Sequence, residues 1–190
     1  FRGSEYDVLD RYYQAAIQHQ VKHIVRITGD CPVIDPVIVD EVIQRYIEND
    51  FDVYHLGGDF PDGLDCSVYR FSALADAWQN AKLPSEREHV GPYLDKHSEK
   101  YKIGTYQKFI NLGHFRWTLD EPADYELLQK IYEALYQPGK LFVTADILQL
   151  LDTHPEWLKI NSGIVRNEGY LISLQKDKTC SPQKYYEQAV

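Results

Sequence analysis

The chain of 190 residues carries 20 Lys and Arg against 29 Asp and Glu, a formal net charge of -9, and 44% hydrophobic residues. That length suffices for a domain with a core of its own, and the charge argues against a duplex-binding surface, which needs clustered Lys and Arg; a nucleotide stays open, because a metal can carry its charge. Cys31, Cys66 and Cys180 form no C-x-x-C pair, so no disulfide framework or zinc site is indicated, a reducing cytoplasm is expected, and no apolar run of about eighteen residues suggests a membrane span.

Ser4 with Asp7 three residues on resembles a capping box, opening a helix to about residue 18. The β-branched run over 21–27 then reads as a buried strand, ended by Gly29 with Asp30 on the first turn beyond. In open α/β sheets ligands bind outside the carboxyl ends of the strands, so Asp30 is placed to hold a hard cation against a phosphate. An ordinary surface turn would favour the same residues. Asp35 followed by Pro36 is an N-cap signal for a helix over 36–49, with Val37, Val39, Val42, Ile43, Tyr46 and Ile47 as its buried stripe. A strand over 51–55 completes an alternation that predicts a parallel sheet with crossover helices.

The Gly-, Asp- and Pro-rich stretch 57–63 leaves regular structure, and 64–71 returns as a strand with Asp65 and Ser67 on one face and Leu64, Cys66 and Val68 on the other. Asp65 faces either solvent or a ligand. Ser72 is the expected cap of a helix to about residue 82, with Trp78 as its largest core residue. Pro84 opens another helical stretch holding Arg87 and His89, residues that on pattern alone suit a surface ion pair and a structural imidazole. Strands are expected over 101–110 and 115–119, the second ending at Asp120, an N-cap candidate for a helix to about residue 136. Asp30 and Asp120 thus both mark a strand-to-helix junction. Two such carboxylates brought together would bind Mg2+ with room left for phosphate oxygens. Beyond residue 137 a helix over 144–151, a turn over 157–160 and an aperiodic end suggest a helical arm that packs on the domain's flank or a partner subunit.

Taken together, Arg2-Gly3-Ser4 with Asp7-Val8-Leu9-Asp10-Arg11-Tyr12, Arg26-Ile27-Thr28-Gly29-Asp30-Cys31-Pro32, Pro61-Asp62-Gly63-Leu64-Asp65, Arg87-Glu88-His89-Val90 and Arg116-Trp117-Thr118-Leu119-Asp120-Glu121-Pro122 resemble the cytidylyltransferase family. The branch is that of the spore coat polysaccharide biosynthesis protein F group, related to acylneuraminate and 3-deoxy-manno-octulosonate cytidylyltransferases. Asn161-Ser162-Gly163 and Arg166-Asn167-Glu168-Gly169-Tyr170 extend the resemblance into the tail. It implies an α/β fold, a Rossmann-like nucleotide-diphospho-sugar transferase sheet, with residues 1–137 as the nucleotidyltransferase part and 138–190 as the helical arm.

The implied activity is nucleotidyl transfer, in which a sugar hydroxyl attacks the α-phosphorus of CTP, pyrophosphate leaves and a CMP-sugar results. Asp30 and Asp120 match the family's Mg2+ ligands, while Arg26, Asp62, Asp65, Arg87 and His89 match substrate-facing positions. An acidic sugar is the expected acceptor, with Arg87 or His89 near its carboxylate, since Arg recognises carboxylates bidentately. A cytoplasmic homo-oligomer without nucleic-acid or membrane partners is expected. Family members begin with a strand and a phosphate-cradling loop that this sequence lacks, about 60 residues at about 30 per βαβ unit. The chain alone is therefore expected to be catalytically crippled, to self-associate, and to gain no thermal stability from CTP with Mg2+. A metal-dependent glycosyltransferase of similar fold and a non-catalytic oligomerisation module are the competing readings; the first would carry an Asp-x-Asp at a strand end, which is missing here.

Overall fold

In a computed structural model that describes residues 1–179, a four-stranded sheet lies between two layers of helices. The chain runs α1 (Val8–Gln18), β1 (His23–Ile27), α2 (Pro36–Glu48), β2 (Val53–Leu56), β3 (Cys66–Arg70), α3 (Phe71–Asn80), α4 (Pro84–His89), α5 (Pro92–Lys96), β4 (Ile103–Tyr106), α6 (Pro122–Leu135), α7 (Thr144–Thr153) and α8 (Glu168–Thr179). The α/β class is as expected, but the sheet is not all parallel. Its order is β1-β3-β2-β4, with β3 antiparallel to both neighbours and β2 parallel to β4. The crossover through α2 leaves a one-strand gap between β1 and β2, and the loop after β2 turns the chain back so that β3 fills it.

Several ends are set differently from the sequence expectation. Asp7, not Ser4, caps α1, its carboxylate accepting from Asp10 N at 2.9 Å. Ser72 lies inside α3, which begins one residue earlier. The expected strand over 115–119 is, among the described residues, a single bridge between Asp62 and Arg116, because its backbone bonds go to two loops, at Asp62 and at Asp30, rather than to a strand. Asp120 is one residue before the N-cap of α6, which is Glu121. On α2, Asp35 caps as expected, accepting from Val37 N at 2.9 Å, but Ile38, Val42 and Tyr46 form the buried face while Val37 and Ile47 are exposed.

Strand alternation divides the core. Tyr54, Cys66, Val68 and Tyr106 face α2, α6 and α7, with Trp117, Ile131, Ile147 and Leu151 in the same cluster, so α7 belongs to the main core. On the other face Val53 and Tyr69 meet Leu9, Leu74, Ala77, Val90 and Leu94 from α1, α3, α4 and α5. Trp78 flanks this second cluster, stacked on Tyr13 with centroids 3.9 Å apart and donating to Asp10 at 2.7 Å. The C-terminal residues expected to be aperiodic include α8, which docks on α4 through Ser85, whose N and hydroxyl donate to Asp177 at 2.9 and 2.6 Å. Cys180 lies outside the described residues, and Cys31 and Cys66 are free thiols.

Candidate active site

The register of the sheet locates the site. Ile24, Tyr69, Val53 and Ile103 make one apolar cross-strand row, and the next row on that face is Arg26, Ser67, His55 and Thr105. The face turns polar at the carboxyl ends of β1, β2 and β4, where a cleft of about 650 Å³ opens. Arg26, Asp30, Asp62, Asp65, His89 and Asp120 all line it.

Three segments meet at its floor. Leu119 N and the Thr118 hydroxyl donate to the Asp30 carbonyl at 2.9 and 3.1 Å, so the loops carrying Asp30 and Asp120 are bonded to each other. Asp62 N donates to Phe115 O at 3.0 Å and Trp117 N to Asp62 O at 2.7 Å, stitching the loop before β3 alongside. Gly63 makes that approach possible: its φ is +98°, and a Cβ there would lie 2.5 Å from Thr118 N.

Arg116, quoted in the resemblance but given no role, holds the floor together. It donates to Asp124 through Nε and one terminal nitrogen, both at 2.9 Å, to Asp120 at 2.8 Å and to Asp62 at 3.1 Å. Asn161 donates to Asp124 at 2.8 Å and to the Arg116 carbonyl at 2.9 Å. Burial works against the Asp124 carboxylate, yet these donors and the amides of residues 120 and 121 hold its pKa below the usual range. Asp62 on the same guanidinium is pushed up by burial and by the charge of Asp65, against the pull of Arg166 and Arg116.

The opposite wall is less satisfied. The Arg26 Nε is buried without a hydrogen-bond partner among the described residues. Asp95, which lines the cleft, has its carboxyl raised by desolvation, opposed by His55 at 4.0 Å. Sequence reasoning missed Asp95 and Thr118; the alternation through Ser67 was the available signal for this wall. His89 bonds Ser173 Oγ at 3.0 Å through Nε2 and meets the Tyr170 ring edge-on at 5.1 Å. Burial lowers its pKa below 6.5; Glu88 and Asp177 oppose this, and Arg26 and Lys176 act with it.

Arg87 is not at the cleft, contrary to expectation. Its side chain is buried, Nε donating to both Asp7 oxygens at 3.0 and 2.9 Å and a terminal nitrogen at 2.5 Å, with Trp78 O accepting at 2.7 Å. The guanidinium clamps α4 to the start of α1 and has no fork left for a substrate.

Among the described residues no three His, Cys, Asp or Glu are grouped to hold a metal by themselves. Asp30 and Asp120 nevertheless suit Mg2+, which takes one or two carboxylates and leaves its other positions to water and phosphate. Among the described residues the Asp30 carboxylate meets only a long 3.7 Å contact from Cys31 Sγ, and Asp120 uses one oxygen on Arg116 and Thr118, leaving the other without a hydrogen bond.

Comparison with known proteins identifies the family. A cytidylyltransferase family model matches residues 1–149. The uncharacterised protein MJ1063 of Methanocaldococcus jannaschii is 35% identical over 178 residues, 90% of this chain and 69% of its own. The spore coat polysaccharide biosynthesis protein SpsF of Bacillus subtilis is 28% identical over 160 residues, 82% of this chain and 65% of its own. A solved cytidylyltransferase structure from Leptospira borgpetersenii superposes with a TM-score of 0.78 at 31% identity, over 84% of this chain and 68% of that one. This chain therefore spans about two thirds of the length of its relatives, and it belongs to the cytidylyltransferase family of nucleotidyltransferases.

Proposed function

We propose that the protein transfers CMP from CTP to the hydroxyl of an acidic sugar, in the cytoplasm, for the synthesis of a surface polysaccharide or glycan. The observation that carries this reading is the pairing of Asp30 and Asp120 on loops that hydrogen-bond each other at the carboxyl end of β1. Asp30 and Asp120 would hold Mg2+, which when bound neutralises charge on phosphate oxygens. Transfer at phosphorus leaves the protein little covalent work, so its remaining groups act by positioning. Arg26 supports the acidic acceptor: a buried N–H without a partner costs about 1–3 kcal/mol, and a carboxylate oxygen would remove that cost. The name of SpsF supports the polysaccharide setting. Self-association is part of the reading, since β1 is an edge strand whose Val25 and Ile27 are exposed.

The test is a pyrophosphate-release assay of the full-length protein with CTP and Mg2+ against a panel of acidic and neutral sugars. Release that depends on an acidic sugar is the expected result. Release with neutral sugars alone would overturn the assignment of Arg26, and no release with any sugar would overturn the transfer itself.

A further inference from the structure

We propose that His89 is the general base of the transfer, held in one tautomer by a relay through Ser173 to Glu88 that α4 and α8 build between them. The inference rests on the functional reading above and assigns a role within the same cleft.

Ser173 is 1% exposed, and its single hydroxyl hydrogen has a charged acceptor in Glu88 at 2.7 Å, with Gly169 O at 3.1 Å as the weaker alternative. With that hydrogen given to Glu88, Ser173 Oγ accepts from His89, so Nε2 carries the imidazole proton. Nδ1 then holds a lone pair and makes no hydrogen bond among the described residues, on a side chain that lines the cleft with Asp30 and Asp120. This is the arrangement of a base oriented by a second group and, through it, by a carboxylate.

The backbone fixes the ring further. Val90 has φ +70° and ψ -55° and is the centre of a γ-turn in which Gly91 N donates to His89 O at 2.8 Å. For a β-branched residue this conformation is strained and persists only where the surroundings impose it. Tyr170 covers the imidazole edge-on from α8. The charged groups facing His89 are Glu88 on α4, Arg26 on β1, and Lys176 and Asp177 on α8; burial, with the two cations on its side, outweighs the two carboxylates and favours the neutral ring.

In the transfer the acceptor oxygen bonds to the α-phosphorus of CTP while its proton passes to Nδ1. The bond from that phosphorus to the bridging oxygen breaks, and pyrophosphate leaves with the electron pair. His89 touches the reacting hydroxyl, whereas Ser173 and Glu88 are positioning residues.

The experiment, on the full-length protein, combines kinetics with two-dimensional nitrogen–proton NMR of the imidazole. His89→Gln should lower kcat by about 10²- to 10⁴-fold with little change in KM for CTP, and should abolish the acidic limb of the kcat–pH profile. Ser173→Ala should lower kcat by about 10- to 100-fold, as for other groups that orient a functional side chain, and Ser173→Thr should restore part of it. In the wild-type protein without ligands, NMR should show the proton on Nε2 and a bare Nδ1, and a tautomer mixture in Ser173→Ala. A proton on Nδ1 would overturn the relay. Pyrophosphate release by His89→Gln at the wild-type rate would overturn the base alone, whereas no release by the wild-type protein would overturn the functional reading and this role with it.

Discussion

Two arginines of the cleft stand in opposite conditions. Arg116 meets three carboxylates within 3.1 Å and is backed by Asn161, so each of its three nitrogens has a carboxylate partner. Arg26, across the cleft, keeps a buried Nε with no partner among the described residues. The Arg116 guanidinium spends its nitrogens on holding three chain segments together, and that of Arg26 keeps one in reserve. A saturated cluster fixes shape, whereas an unsaturated one is where a ligand gains most, because its atoms end an existing desolvation cost.

The sharpest way to break this contrast is Arg116→Met. It leaves the fully buried Asp124 carboxylate with only Asn161 and backbone donors, and breaking a buried pair in this way costs about 3–5 kcal/mol. The loss should appear as a lower urea midpoint at unchanged slope; a variant within about 0.5 kcal/mol of wild type would show that Arg116 is not the anchor of the floor. Arg87→Met should cost slightly less, about 3 kcal/mol, because the Asp7 left behind keeps the Asp10 amide as a donor. Its KM for the sugar should stay at the wild-type value, and a rise would return Arg87 to the acceptor site.

Arg87 also shows what the sequence could and could not convey. Its neighbour His89 and Arg26, Asp30, Asp62, Asp65 and Asp120 were legible as cleft residues because each sits at a strand end, in a Gly-rich turn or in one of the motifs. The direction in which Arg87 points was not, since it depends on Asp7 lying eighty residues away. The α/β class followed from alternating helix and strand patterns. The antiparallel β3 did not, because local periodicity carries no information about strand direction, and the turn that reverses the chain looks like any loop rich in Gly, Asp and Pro. Arg116 was visible as part of a motif, but its function as a hub required Asp62 from another segment.

Arg26→Leu sharpens the contrast from the other side. Removing a guanidinium with an unsatisfied buried N–H should leave stability within about 0.5 kcal/mol of wild type. The apparent affinity for an acidic sugar should fall by about 10-fold or more, the loss of one charge-assisted hydrogen bond, as read by titration calorimetry. A large stability loss with unchanged affinity would place Arg26 in the same class as Arg116.

The smallest effect separates two carboxylates on one guanidinium. Asp124 has its pKa held below 3.8, so the stability it contributes is present above 3.8 and is lost as pH falls through its folded value. Asp62 has its pKa raised above 3.8 by burial first and by Asp65 second, so its contribution is present below 3.8 and is lost as pH rises through its folded value. The corresponding variants should therefore diverge with pH. Asp124→Asn should become more destabilising relative to wild type as pH is raised from about 2 to neutrality, and Asp62→Asn less so, since the amide removes a carboxylate that the fold resists ionising. Urea midpoints of both variants over that range decide the matter. Parallel pH dependences would mean that Arg116 treats the two aspartates alike, and that the floor is not saturated in the order Asp124 before Asp62.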